Sequence, residues 1–178
     1  MKSGRIEISS PSIEDEIKTK ILSRNDSLNL SKRVFIENEN ISGSISLTGG
    51  IIDDISLKNY NKNLGSEEKV IFLSPNSLND GYYIETGWVS NSEKDLPNNK
   101  TEWSVVGNSK LTPNNSVTLE WTNKNRIKFL KIIELDEKFL FKVNQKIQNN
   151  GSTVHDFYPY AQIIRNKRPE VSGFLILH

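Results

Sequence analysis

Two adjacent carboxylates, Asp53 and Asp54, are candidates for general acid–base chemistry, in which one group donates a proton and the other accepts it. They lie in a predicted β-strand, where neighbouring side chains point to opposite faces of the sheet. Unless a bulge intervenes, the two do not share one site, and we expect one to be exposed and the other to lie near a turn. A further acid, Glu85, stands alone in another predicted strand, where we expect it to be solvated.

A second candidate group lies toward the C-terminal end of the chain. It consists of His155, Tyr158, Tyr160 and Arg165, which combine an imidazole, two phenols and a guanidinium within a short stretch. Such side chains are typical of a polar, aromatic cleft, and we interpret them as a candidate cleft or binding surface. The alternative is that alternate residues of one strand pack in the core while the others face water.

Three tryptophans, Trp88, Trp103 and Trp121, offer a second aromatic feature. Their faces suit stacking on a sugar ring. They lie in alternating strands, however, where core packing is the default for large aromatic residues.

The motifs of nucleophilic, metal and phosphate chemistry do not occur in the sequence. There is no cysteine, and the two histidines, His155 and His178, are too few and too distant to indicate a metal cluster. No Walker loop, Gly-x-Ser-x-Gly elbow or His-Glu-x-x-His motif is present. We therefore expect no catalytic residue, no metal and no organic cofactor.

The composition argues against a nucleic-acid partner, a membrane-spanning segment and a signal peptide. The 178 residues include 23 Lys and Arg against 22 Asp and Glu, with no basic stripe, so nucleic acid is not an expected partner. Apolar runs such as 174–177 fall far short of the roughly 18–20 residues that span a bilayer. The residues after Met1 lack the apolar core of a signal peptide. We therefore expect neither a membrane-spanning segment nor a signal peptide in the chain as given.

The elements that must position these residues show the period-two alternation of β-strands. Residues 41–47 and 117–121 alternate apolar and polar side chains, and residues 139–143 repeat large apolar side chains at period two, at Phe139, Phe141 and Val143. Gly49-Gly50 is a hairpin signal between the first of these runs and the next predicted strand. Other predicted strands cover residues 51–57, 70–73, 82–89, 103–106, 127–135 and 154–165. Pro159 marks the last of these as an edge strand or the site of a bulge. Strands of this length joined by polar turns predict an all-β, antiparallel sandwich.

The chain divides in composition near residue 33. Residues 1–33 are polar, rich in serine and charged, with the acidic run Glu14-Asp15-Glu16, and Ile13, Ile17 and Ile21 do not make a broad apolar face. We interpret 1–33 as a polar linker or arm and 34–178 as the β-sandwich domain.

Several segments, in their order and spacing over residues 38–178, carry a family resemblance. They are 49–60 (GGIIDDISLKNY), 82–89 (YYIETGWV), 111–113 (LTP), 117–121 (VTLEW), 136–143 (DEKFLFKV), 158–161 (YPYA) and 171–178 (VSGFLILH). Together they resemble the periplasmic domain of the bacterial membrane protein insertase YidC, in its alphaproteobacterial form.

The resemblance implies a β-supersandwich fold related to galactose-mutarotase-like domains. It also implies a parent protein in the inner membrane, with this domain in the periplasm. The implied role is insertion and folding of membrane-protein clients, alone or with the Sec translocon and its SecD–SecF accessory complex. In the family the insertion chemistry belongs to the transmembrane core, so no binding residue is carried over to this chain.

The family sandwich continues past the position of His178, so the resemblance implies that the chain is a truncated portion. We expect residues 170–178 either to be mobile or to self-associate through the truncated edge, because a free strand edge pairs readily with another chain.

Two other functions stay open on the residues alone. A mutarotase-like sugar epimerase or carbohydrate-binding sandwich would need a proton donor and an acceptor on opposite sides of the sugar, for which His155 is the one suitable histidine. The second open function is that of a structural β-sandwich that binds no ligand.

Overall fold

The computed structural model describes residues 22–168, which form two β-sheets and one short helix, α1 (Arg24–Leu28). The strands, in chain order, are β1 (Arg33–Glu37), β2 (Ile41–Ser46), β3 (Ile51–Asn61), β4 (Lys69–Leu73), β5 (Tyr82–Val89), β6 (Ser104–Val106), β7 (Lys110–Leu111), β8 (Val117–Thr122), β9 (Ile127–Leu135), β10 (Phe141–Asn149) and β11 (Tyr158–Arg165).

The two sheets have seven and four strands. The larger runs β11-β5-β3-β2-β1-β7, with β4 also paired to β3, and the smaller runs β10-β9-β8-β6. The pairings are antiparallel except for the short parallel contact between β1 and β7. The expected mainly antiparallel β-sandwich is confirmed, and Pro159 lies in β11, an edge strand of the described sheet, as its chemistry requires.

Alternation along the strands builds the core between the sheets. In β9 every second residue is buried, beginning with Ile127, and Val34 and Ile36 of β1 are buried from the opposite sheet. Trp88 and Trp103 are buried and stack with ring centroids 6.4 Å apart. Trp121 is half-buried against Phe129, so the three tryptophans serve the core, as their strand positions predict.

The glycine pair Gly49-Gly50 closes the β2–β3 hairpin with positive φ angles of 78° and 60°. A Cβ on Gly50 would lie 2.9 Å from the indole nitrogen of Trp103. Both the turn conformation and the close packing therefore require glycine here.

Two strands begin later than the alternation predicts. Phe139 is half exposed and lies in the β9–β10 turn, because the Asp136 side chain accepts the backbone N–H groups of Lys138 and Leu140 and holds the chain in a loop. Residues 154–157 likewise precede β11 as irregular chain. At the β9–β10 turn, local polar contacts interrupt a run whose residue types favour a strand. Before β11 the contacts are long-range instead, since the Asp156 N–H donates to the Ser92 hydroxyl at 3.2 Å and His155 contacts Glu93.

The part of the arm that the structure describes is attached to the larger sheet. Ser23 caps α1 by accepting the N–H of Asp26, and the buried Ser27 hydroxyl contacts Ser77. The expectations for residues 1–21 and for 170–178 concern segments outside the described residues. The boundary at residue 33 stays a prediction.

Candidate functional site

The four side chains predicted to line a cleft lie in separate surroundings. Tyr158 begins β11 and is 54% exposed. Tyr160 faces the space between the sheets and donates its hydroxyl to Glu85 at 2.6 Å. Arg165 ends β11 and stacks over Tyr82 with its guanidinium carbon 4.4 Å from the ring centre. Since Tyr158 and Arg165 lie at opposite ends of an eight-residue strand, they are separated by about 23 Å and do not share one small-molecule cleft.

His155, the fourth of these residues, contacts Glu93 instead. Its Nε2 lies 3.9 Å from a Glu93 carboxylate oxygen, and both side chains are nearly buried. Glu93 also accepts hydrogen bonds from Asn125 Nδ2 at 2.8 Å and from the backbone N–H groups of Lys94 and Asp95 at 2.7 Å. Its carboxylate therefore joins the loop after β5 to the turn between β8 and β9. These hydrogen bonds, with that from Asn125 the largest effect, lower the pKa of Glu93.

A small polar pocket between the sheets is centred on Lys131. This lysine of β9 is 1% exposed, and its Nζ donates to the carbonyl oxygens of Gly50 at 3.0 Å and Gly49 at 3.3 Å. Nζ also lies 4.8 Å from the ring centre of Trp103, a cation–π geometry. Glu85 and Tyr160 line the same pocket. Several parts of the fold therefore meet at the buried Lys131 cation. They are the hairpin glycines, β9 of the smaller sheet, and β5 and β11 of the larger sheet.

The electrostatics of the pocket follow from its burial. Burial lowers the pKa of Lys131 to about 8, while the charge of Glu85 acts in the opposite direction. Burial and then the hydrogen bond to Glu85 raise the pKa of Tyr160 to about 12. The pocket volume of about 10 Å³ suits roughly one water molecule and excludes a sugar ring.

Sequence reasoning did not single out Lys131, although the signal was present. Ile127, Phe129, Ile133 and Leu135 mark the buried face of β9, and period two places Lys131 on that same face. A lysine among buried apolar positions predicts either a partner or a perturbed pKa.

The burial of Lys131 predicts a specific pH dependence of stability. Below pH 8 the lysine is charged in both states, but between pH 8 and its unfolded pKa of about 10.4 the unfolded chain binds more protons than the folded one. Stability therefore rises with pH in this window. We expect the free energy of unfolding to increase by about 2 kcal/mol from pH 8 to pH 10, relative to a Lys131→Met variant.

Urea denaturation at pH 7, 8, 9 and 10 measures this difference. Lys128→Met is the matched control, because Lys128 lies on the outer face of the same strand and pairs with Glu120 at 2.9 Å. Parallel pH profiles for the wild type and Lys131→Met would contradict the assignment. Above pH 10 the raised pKa of Tyr160 makes stability fall, which limits the useful window.

The expectation for Asp53 and Asp54 is wrong, because both carboxylates are buried in one network. The β2–β3 register shifts between Ser44 and Ile45, so that Asp53 is the extra residue of a bulge. Ser44 donates its hydroxyl to Asp54 at 2.6 Å and accepts Arg33 Nε at 2.7 Å, and Arg33 pairs with Asp53.

The same network anchors the arm, since Arg24 of α1 pairs with Asp54. Burial is the largest influence on Asp53 and raises the pKa of its carboxyl group, with Arg33 opposing it. Each carboxylate has its own arginine, so the arrangement is that of a structural ion-pair network rather than of an acid–base pair.

Residues 22–168 contain no group of three or more His, Asp or Glu side chains placed to hold a metal ion. Within the same part of the chain, no helix has the length and apolar character needed to cross a membrane.

Comparison with known proteins connects this sandwich to one family. The sequence model of the YidC periplasmic domain matches residues 33–178. The protein named membrane protein insertase YidC of Pelagibacter ubique is 48% identical over 169 residues, which cover 94% of this chain and 30% of that protein. Proteins of the same name from Methylobacterium radiotolerans and Brucella suis are 38% and 36% identical, over 88% of this chain and 25% and 26% of their own lengths.

The chain thus spans less than a third of the length of these curated relatives. The family model, by contrast, covers the sandwich from its first strand to the end of the chain. On that match and the identity to named relatives, the chain belongs to the YidC periplasmic domain family.

Proposed function

We propose that this chain is the periplasmic binding and assembly module of a membrane protein insertase in the inner membrane. It supports the insertion and folding of membrane-protein clients, alone or with the Sec translocon and its SecD–SecF accessory complex. The observation that carries the proposal is the family match over residues 33–178, together with relatives that are named as insertases. A periplasmic location follows from the family's description.

The module acts by binding and not by catalysis. Its polar pocket at Lys131 is too small for an organic substrate, and the two aspartates are engaged by arginines. The exposed outer part of β11, with Tyr158 at one end and Arg165 at the other, is the proposed contact surface, while Tyr160 and His155 support it from within.

A sugar epimerase is the competing function, and the contact of His155 with Glu93 bears on it. An epimerase holds its acid and base on opposite sides of a sugar. Here the two side chains are 3.9 Å apart with Glu93 committed to loop hydrogen bonds, which leaves no gap for a ring. Polarimetry with glucose separates the two functions, because turnover that is abolished by His155→Asn would favour the epimerase.

Photo-crosslinking in the full-length membrane protein tests the proposal. With a photoreactive phenylalanine analogue in place of Tyr158, we expect adducts with a client or a Sec component while a model membrane protein is being inserted. The reason is that an exposed aromatic residue on an edge strand contacts bound polypeptide.

The matched control carries the same analogue at Val106, an exposed apolar residue of the other sheet. Adducts at Tyr158 but not at Val106 support the surface. Equal adducts at both positions, or none at Tyr158 while insertion proceeds, would contradict it.

A further inference from the structure

A groove of about 680 Å³ lies beside the outer edge of β4. The strand pairs with β3 on one side, and no described strand pairs with its other edge. The reason is topological, because β11 runs along β5 and ends at Arg165, opposite Tyr82, where β5 begins. Beyond that point β4 continues along β3 alone, so its outer N–H and C=O groups are open to another strand.

The fold concentrates positive charge in this groove, although the whole chain has a formal charge of only +1. Glu68 and Asp80 are the acidic residues among those that line it. The cationic ones are Arg24, Lys62, Lys69, Arg165, Lys167 and Arg168.

Apolar surface accompanies this charge. Phe72 and Ile71 of β4 line the groove with exposures of 52% and 41%. A free strand edge, apolar side chains and cations together suit an extended segment that carries apolar and acidic residues.

The chain itself leads into this groove. Leu22, where the described part begins, lines it, and α1 is held there because Arg24 pairs with Asp54 and donates to Ser56 at 3.2 Å. The contact of Ser27 with Ser77 fixes the other end of the helix on the loop that precedes β5. The residues before 22 therefore start from a fixed point at the groove.

The acidic run Glu14-Asp15-Glu16 stands six to eight positions before Leu22 and is flanked by Ile13 and Ile17. An extended chain of that length reaches about 20–26 Å. The five residues of β4 extend about 17 Å. The run is therefore within reach of the whole groove, with charge opposite to that of its lining.

We propose that residues 12–21 of the same chain occupy this groove, with Ile13 and Ile17 on the apolar surface of β4 and the acidic run against the surrounding cations. The contact holds this part of the arm on the domain. It rests on other observations than the proposed insertase role, although Arg165 belongs to both surfaces, so either proposal can fail without the other.

Disulfide trapping tests the contact cleanly, because the chain has no cysteine of its own. In the complete chain, Glu16→Cys is paired with Phe72→Cys in the groove, or with Lys128→Cys on the outer face of the other sheet as the matched control. We expect the groove pair to form its disulfide at least about tenfold faster, because docking raises the effective concentration of the two thiols.

Two changes should reduce this rate to that of the control. The first is 1 M salt, which shortens the screening length to about 3 Å. The second is reversal of groove charge by Lys69→Glu with Arg168→Glu. Equal rates for the two cysteine pairs would overturn the proposal.

Hydrogen exchange at residues 69–72 distinguishes other occupants. Protection in the purified wild type that is lost in the triple variant Glu14→Lys, Asp15→Lys, Glu16→Lys supports the arm. Protection that needs added vesicles of anionic lipid, or an added acidic peptide, would overturn it in favour of that occupant. Circular dichroism confirms that each variant is folded.

Discussion

Asp53→Ala is expected to lower the free energy of unfolding by about 3–5 kcal/mol, because it leaves a buried guanidinium without its counter-charge. Asp53, the extra residue of the β2–β3 bulge, pairs with Arg33 of β1, and their side chains are 3% and 9% exposed. After the substitution Arg33 keeps Ser44 as a hydrogen-bond partner but has no carboxylate to neutralise it.

The exposed pair of Lys62 and Glu68 provides the control. Both side chains are about 60% exposed, so Glu68→Ala should change stability by less than about 1 kcal/mol. Urea denaturation of the two variants measures the difference, and equal losses would contradict the role of burial.

A double variant separates breaking the pair from replacing it. Burial already raises the pKa of Asp53 against the influence of Arg33, which indicates that desolvation offsets much of the attraction. Arg33→Met with Asp53→Leu should therefore lie within about 2 kcal/mol of the wild type. A loss as large as that of Asp53→Ala would show that the ion pair itself stabilises the fold.

Phe129→Ala should destabilise the domain by about 3–5 kcal/mol, since it removes the centre of the aromatic core. Phe129 is fully buried, and its ring centre lies 5.2 Å from that of Trp88 and 5.7 Å from those of Trp121 and Phe157. The rings come from both sheets and from the segment before β11, so the cavity cannot close by moving one element.

Chemical denaturation with near-ultraviolet circular dichroism follows this loss, because the tryptophans report on the packing around them. Phe139→Ala is the control: its side chain is 50% exposed, and we expect a change below about 1 kcal/mol. If Phe129→Ala does not fold, Phe129→Leu keeps most of the volume and should lose about 1–2 kcal/mol. A Phe129→Ala variant as stable as Phe139→Ala would contradict the proposed core.

The candidate site was predictable only in part. Tyr160 and Glu85 were both singled out by residue type, but their hydrogen bond joins β5 and β11, which are more than 70 positions apart in the chain. The spacing of Ile52 and Ile55 is consistent with the bulge at Asp53. The two residues are three positions apart, so period two would place them on opposite faces, yet both are buried. No local pattern indicated that Arg33 and Arg24 supply the counter-charges.

By itself the sequence determined the class of fold, most of the strands and the family, because alternation, turn residues and motif order are local properties of the chain. The buried face of β9 and the hairpin at Gly49-Gly50 follow from such patterns alone. Only the tertiary structure decided which strands pair, how a nearly neutral chain gathers six cations beside β4, and which carbonyl groups surround Lys131. These depend on contacts between distant segments, whose register is chosen by the packing of the whole sandwich and not by any one strand.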